Sequence, residues 1–185
     1  KSKSTPGLSA FSATVESVRE LNPEGTILLD AGDHFSVNLW GGLPVVKAAN
    51  LMGTDVMTLG NHEFDRGSAF LAECIAACDF PVLCANIHYK GGASIKGTVP
   101  YTIIERLGVK IGVLGIVTEY TPYMVEKSAF EPFEVSSAIE AAQRYIPEMR
   151  QKGAEIVVAL THCPFYIEED GTISGEMWDL LKNIP

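Results

Sequence analysis

Apolar residues recur at three- and four-residue spacing over Leu8, Phe11, Val15, Val18 and Leu21. That spacing predicts an amphipathic helix, and Asn22-Pro23-Glu24-Gly25 stops it. Thr26-Ile27-Leu28-Leu29 is a continuous apolar run between turn residues and predicts a buried parallel strand. Residues 44–52 read as a helix, with Val45, Val46, Ala49 and Leu51 or Met52 facing inward and Gly53 as its stop. Val56-Met57-Thr58-Leu59 predicts a second strand, residues 68–78 a helix, and Pro81-Val82-Leu83-Cys84-Ala85 a strand ending at Asn86. The period then changes. Two apolar runs, 101–106 and 110–117, flank Leu107-Gly108-Val109, a link short enough to predict a hairpin rather than a crossover. Ser137 and Glu140 have capping-box spacing ahead of a helix, in which Pro147 predicts a kink or an early end near Tyr145. Ile156-Val157-Val158-Ala159-Leu160 is the clearest strand, and a short helix over 175–181 follows.

Strands alternate with helices almost throughout, which predicts an α/β fold with a mostly parallel, mixed sheet flanked by helices. Length adds that residues 1–185 form a single domain, large enough for a proper core. The net charge of -9 argues against a nucleic-acid polymer or an anionic membrane as partner, since both need a basic face. It leaves phosphate substrates open, because bound divalent cations reverse the sign of an acidic site. The sequence holds no run of the roughly 20 apolar residues that a membrane span needs. It opens on the polar run 1–6 rather than on a signal peptide. Cys74, Cys78, Cys84 and Cys163 form no CxxC pair and read as reduced apolar fillers.

Chemistry gathers at the ends of three strands. The first ends in Asp30-Ala31-Gly32-Asp33, the second in Gly60-Asn61-His62-Glu63-Phe64-Asp65, and the strand over 156–160 in Thr161-His162-Cys163. Parallel strands deliver their C-terminal ends to one edge, where open α/β sheets place ligands. Asp33, Asn61 and His162 are therefore candidate metal ligands, and an oxygen-plus-imidazole set suits Mn, Zn, Fe, Co or Ni. Taken singly, each has another reading: Asp33 as a cap, Asn61 as a turn residue, His162 as a satisfied core histidine. His62 can serve as acid, base or electrostatic anchor near neutral pH. Asp65, three residues on, is placed to fix its tautomer.

The run Gly60-Asn61-His62-Glu63 resembles the Gly-Asn-His-Glu block of the calcineurin-like metallophosphoesterases, and its extension through Phe64-Asp65 resembles the branch containing 5'-nucleotidases. Asp30-Ala31-Gly32-Asp33 is similar to the family's second motif, in which the last Asp bridges two metals. The resemblance implies a layered metallophosphoesterase-like fold and hydrolysis of a phosphate ester. Two divalent ions (Mn, Zn, Co or Fe) would assist, with Asp33, Asn61 and His162 as metal ligands and His62 and Asp65 as the catalytic pair. The implied substrate is a nucleotide, cleaved as a nucleoside 5'-phosphate. A 2',3'-cyclic nucleotide phosphodiesterase, a nucleotide-sugar hydrolase and a non-catalytic scaffold are the alternatives. His34 reads as a rim residue, and His88 has no assigned role.

Two family motifs, an opening Asp-x-His and a closing Gly-His-x-His, have no counterpart, nor has the C-terminal domain that supplies nucleotide specificity. The expectation is a catalytic domain incomplete at both ends, with at most one partial metal site and weak or no activity by itself. An exposed apolar seam and self-association through an open sheet edge are expected with it. The family branch further implies a periplasmic, cell-surface or secreted setting.

Overall fold

The computed structural model describes residues 7–35 and 41–184; the opening polar run and Pro185 lie outside them. Four layers follow from the alternation along the strands. One sheet is all parallel, in the order β1 (Leu29–Asp30), β2 (Val56–Thr58), β3 (Val82–Leu83) and, beyond β4 (Ile87–Tyr89), β5 (Thr98–Val99). The second holds the hairpin β6 (Tyr101–Arg106) and β7 (Val109–Val117), with β8 (Phe133–Val135) lying elsewhere and β9 (Ile156–His162) parallel to β7. The sequence reading placed these strands in one mixed sheet; the mixed character holds, and the strands divide between two sheets that face each other. Val56, Leu83 and Val113 meet between the sheets. At Gly115 a Cβ would lie 2.3 Å from the Leu83 Cβ, so the two sheets touch there with no room for a side chain.

The neighbouring positions point the other way. Met57 and Val82 pack under α2 (Leu43–Leu51) and α3 (Gly67–Ala76), while Leu114 and Ile116 pack under α6 (Ala138–Gln151). Two short helices, α4 (Thr121–Met124) and α5 (Lys127–Phe130), connect β7 to β8, which pairs antiparallel with β4. The small hairpin β10 (Tyr166–Ile167) and β11 (Ile173–Ser174) leads into α7 (Glu176–Asn183).

Local signals behave as their chemistry demands. Leu107 and Gly108 both take positive φ, as a two-residue hairpin turn requires. Ser137 accepts from the Glu140 N–H at 3.4 Å as the N-cap of α6. That helix continues through Pro147 to Gln151, where an early end was expected. Pro147 lies on its exposed side, so the carbonyl of Gln143 that loses an N–H partner faces water. The first helix, α1 (Leu8–Leu21), forms as predicted but fully buries only Val15. Leu8 and Phe11 are about half exposed, at 55% and 50%, and border a cavity of about 320 Å³ between α1, β1 and α2. Within the described residues β1 and β9 are edge strands. No helix among the described residues is long and apolar enough to cross a membrane.

Candidate functional site

The C-terminal ends of β1, β2, β7 and β9 share one edge of the two-sheet stack. Leaving β1, the chain passes through Gly32 at φ 88° and Asp33 at φ 71°, two successive left-handed residues. Glycine enters that region freely, and aspartate is among the few side chains that tolerate it. The turn has to be this tight because it abuts the loop after β2. A Cβ on Gly32 would lie 2.4 Å from the Gly60 nitrogen, and one on Gly60 would lie 2.3 Å from Asp33 Oδ1. Asp30 closes the turn from below: its Oδ1 accepts from the Gly32 N–H at 2.9 Å and pairs with His34 Nε2 at 2.8 Å.

Glu63 fastens the two loops together. Its side chain is fully buried (0% exposed). Oε2 accepts from the N–H groups of Gly60 (2.6 Å) and Asp33 (2.8 Å), and Oε1 from those of His34 (2.5 Å) and Phe35 (3.1 Å). Four converging donors are what a buried carboxylate needs to offset the loss of water. In the sequence Glu63 is one letter of its motif, with nothing local to mark a role. A glutamate flanked by His and Phe carries no periodic signal, and its function appears only when the β1 loop folds onto it.

His62 and Asp65 sit on the turn that follows. His62 Nδ1 and Asp65 Oδ2 are 2.7 Å apart, the link that their three-residue spacing suggested. The Asp65 hydrogen bond, helped by the nearby carboxylates, raises the His62 pKa above its ordinary value against burial. The His62 backbone N–H donates to Asp33 Oδ1 at 3.1 Å, so this pair is tied to the β1 loop as well.

His162 arrives from the other sheet. Its Nδ1 lies 2.7 Å from the carbonyl oxygen of Ala31, and its Nε2 lies 3.3 Å from Asp33 Oδ2. Burial would raise the Asp33 pKa, but the His162 hydrogen bond, the His62 N–H and the two imidazoles outweigh it and the net shift is downward. The His162 pKa is raised, chiefly by Asp33 and against burial. The backbone of His162 is fixed from β7: Thr118 donates its N–H to the His162 carbonyl at 2.9 Å. Buried Asn86 in turn grips Val117 through both ends of its amide, at 2.7 and 2.9 Å. Asn61 is buried, and its side-chain nitrogen has no hydrogen-bond partner.

The structure thus brings Asp33, His162 and the His62–Asp65 pair to one edge. Asn61 and His162 line the same cleft, a cavity of about 900 Å³. His34 turns back to Asp30 rather than standing free on the rim. His88 lies apart, on β4, opposite Glu134 of β8. Cys163 follows the last residue of β9, so strand alternation no longer holds it away from His162 and both line the cleft. Burial beside Glu176 and Glu119 pushes its thiol up to about 12, which keeps it a poor nucleophile at neutral pH. Among the described residues no cluster of three or more His, Cys, Asp or Glu side chains is arranged to hold a metal, and Asn61 stands outside that set of residue types.

No family model matches the chain. Individual proteins do. It is 35% identical over 162 residues to a snake venom 5'-nucleotidase of Gloydius brevicauda, a match over 82% of this chain and 27% of that protein. The crystal structure of the calcineurin-like phosphoesterase YfkN from Bacillus subtilis superposes with a TM-score of 0.82 at 27% identity, over 100% of this chain and 63% of that one. This chain belongs to the calcineurin-like phosphoesterases. Within that family it is also 36% identical over 128 residues to a 2',3'-cyclic-nucleotide 2'-phosphodiesterase/3'-nucleotidase of Haemophilus influenzae, across 64% of this chain and 19% of that protein. The chain spans less than a third of either sequence relative's length.

Proposed function

We propose that this phosphoesterase domain hydrolyses nucleoside 5'-phosphates with divalent metal held by Asp33, Asn61 and His162. The observation that carries the reading is the geometry of His162. Ala31 offers its Nδ1 only a carbonyl oxygen, so Nδ1 is the nitrogen that bears the proton. Nε2 then presents a lone pair to the Asp33 carboxylate 3.3 Å away. Two acceptors face each other, and only a further proton or a shared cation reconciles them. An imidazole that donates its far N–H to a backbone carbonyl is also the usual arrangement of a histidine ligand. Asn61 is buried at the same cleft with its amide nitrogen unpartnered, and the amide also carries an oxygen of the kind that ligates such a cation. The donor set of carboxylate, amide and imidazole fits a borderline divalent cation such as Mn, Zn, Fe or Co.

When bound, such ions supply Lewis acidity at the phosphoryl oxygens and lower the pKa of the attacking water. The chain's own residues do the rest. Asp65 holds His62 in one orientation by accepting from Nδ1. The raised pKa of His62 keeps a larger share of it protonated near neutral pH, suited to stabilising phosphoryl charge or giving a proton to the leaving oxygen. Glu63 holds the Asp33 and Asn61-His62 loops in register, so these groups arrive preorganised.

The venom relative supports a 5'-nucleotide substrate and the Haemophilus influenzae relative a 2',3'-cyclic one; a nucleotide-sugar substrate and a non-catalytic scaffold are the further alternatives. The venom relative also supports a setting outside the cytoplasm. The test is single-turnover phosphate release, with protein in excess over AMP, 2',3'-cyclic AMP or a nucleotide sugar, which detects weak activity. The expected result is Mn²⁺-dependent cleavage of AMP that is lost in His62→Ala. Equal cleavage by wild type and His62→Ala refutes the assignment, and faster cleavage of a competing substrate replaces AMP with it.

A further inference from the structure

His162 is the last residue of β9, an edge strand, so within the described residues β7 is the strand that holds its backbone. The two strands stay in register as far as Val117 and His162. The hold on the His162 carbonyl comes one residue later, from the Thr118 N–H at 2.9 Å. Thr118 lies just beyond the end of β7, where strand pairing no longer fixes it. A carboxylate from α7 takes over. Glu176 Oε2 accepts from the Thr118 hydroxyl, and Oε1 accepts from the Glu119 N–H at 2.8 Å. Hydrogen bonds to an ionised acceptor are roughly twice as strong as neutral ones. The Tyr120 N–H donates to Thr118 Oγ1 at 3.2 Å, so the hydroxyl both gives and receives. Glu176 is itself held in place. It opens α7, and Gly175 before it takes φ 106°, where a Cβ would lie 2.4 Å from the Pro164 oxygen. The Met177 N–H donates to that same oxygen at 3.2 Å. The chain that departs after His162 is thereby brought back beside it, and Glu176 and His162 line one cleft.

We propose that Glu176 is a positioning residue for His162: through Thr118 it fixes the His162 backbone, and with it the direction in which the ring faces Ala31 and Asp33. This rests on the phosphoesterase reading for its consequence, the binding of a cation at His162. Each Glu176 oxygen bonds to the segment after β7, so the carboxylate acts through that segment rather than on the cation.

The test pairs Mn²⁺ calorimetry with nitrogen-15 spectroscopy of the His162 ring in metal-free protein, at about pH 9 where imidazoles are neutral. In the wild type the Ala31 carbonyl holds the ring proton on Nδ1. Glu176→Ala removes both hydrogen bonds to the segment. The expected result is about tenfold weaker Mn²⁺ binding, the low end for groups that orient a metal-binding histidine, and a His162 ring that averages between its two tautomers. Glu176→Gln removes the charge but keeps an oxygen for the Glu119 N–H and an amide for Thr118 Oγ1, so it recovers most of the affinity. Thr118→Val deletes the hydroxyl within nearly the same volume and reproduces Glu176→Ala. The double variant binds no more weakly than either single one, because residues that act through one contact are not additive. An unchanged His162 ring signal in Glu176→Ala overturns the proposal, whether or not Mn²⁺ binds. Equal losses of affinity in Glu176→Gln and Glu176→Ala overturn it as well, since the carboxylate then acts by its charge. If the wild type binds no Mn²⁺ while Glu176→Ala still frees the ring, the positioning stands and the metal reading falls.

Discussion

Replacing Glu63 by Gln changes one oxygen to an amide nitrogen and leaves the volume intact. Whichever oxygen is lost, two backbone N–H groups lose their acceptor and meet a donor instead. Losing Oε2 frees Gly60 and Asp33; losing Oε1 frees His34 and Phe35. Each buried donor left unsatisfied costs about 1–3 kcal/mol. Two of them, less the relief of no longer burying a charge, give a loss of about 3 kcal/mol. A domain of this size loses about 2–4 °C of melting temperature per kcal/mol, so the expected drop is roughly 6–12 °C. The assay is thermal unfolding followed by circular dichroism, with Mn²⁺ affinity measured on the folded protein at low temperature. Affinity should fall with stability, because the same hydrogen bonds place Asp33 beside Asn61 and His62. A melting temperature within about 2 °C of wild type would refute the reasoning, since it would mean the four N–H groups do not depend on this carboxylate.

Three further outcomes follow from the same structure. Gly60→Ala drives a Cβ to within 2.3 Å of Asp33 Oδ1 and 2.9 Å of His162 Nδ1, so Mn²⁺ affinity should fall by about tenfold or more in calorimetry while the sheets stay folded. The Asp30 hydrogen bond raises the His34 pKa against burial, so in chelator-treated protein this pair contributes stability fully below the unfolded value of 6.5 and loses it as pH rises through the higher folded value. A pH series of melting temperatures should therefore slope downward as pH rises above 6.5, and His34→Gln should make the slope shallower, with the raised pKa values of His62 and His162 supplying the rest. The half-exposed apolar flank of α1 and the edge strands β1 and β9 should promote self-association, seen as rising mass in sedimentation between about 1 and 100 μM; a constant monomer mass counts against it.

The residues that the sequence exposed were those whose signal is local. The period of residues 8–21, the Ser137 cap and the Leu107-Gly108 turn are each read within a few positions, and each is present. The His62–Asp65 link is equally local. The division into two sheets was hidden because β7, buried on both faces, gives the same unbroken apolar run in one sheet or between two. Glu63 and Asn86 were hidden for the opposite reason: apart from Gly60, their partners are backbone groups about 30 positions away, which have no side-chain signature. The cleft at Asn61 and His162 is also lined by Tyr123 and Tyr166, more than 40 apart on α4 and β10, elements too short for periodicity to detect.

Asp33, Asn61 and His162 are proposed to hold a divalent cation together. Calorimetric titration of the metal-free chain with Mn²⁺, repeated on Asn61→Ala and His162→Ala, tests it most directly. The expected result is saturable binding by the wild-type chain that disappears in both variants, whose circular dichroism stays that of the folded protein. Binding that survives unchanged in Asn61→Ala and His162→Ala, or no binding by the wild-type chain at all, would contradict it.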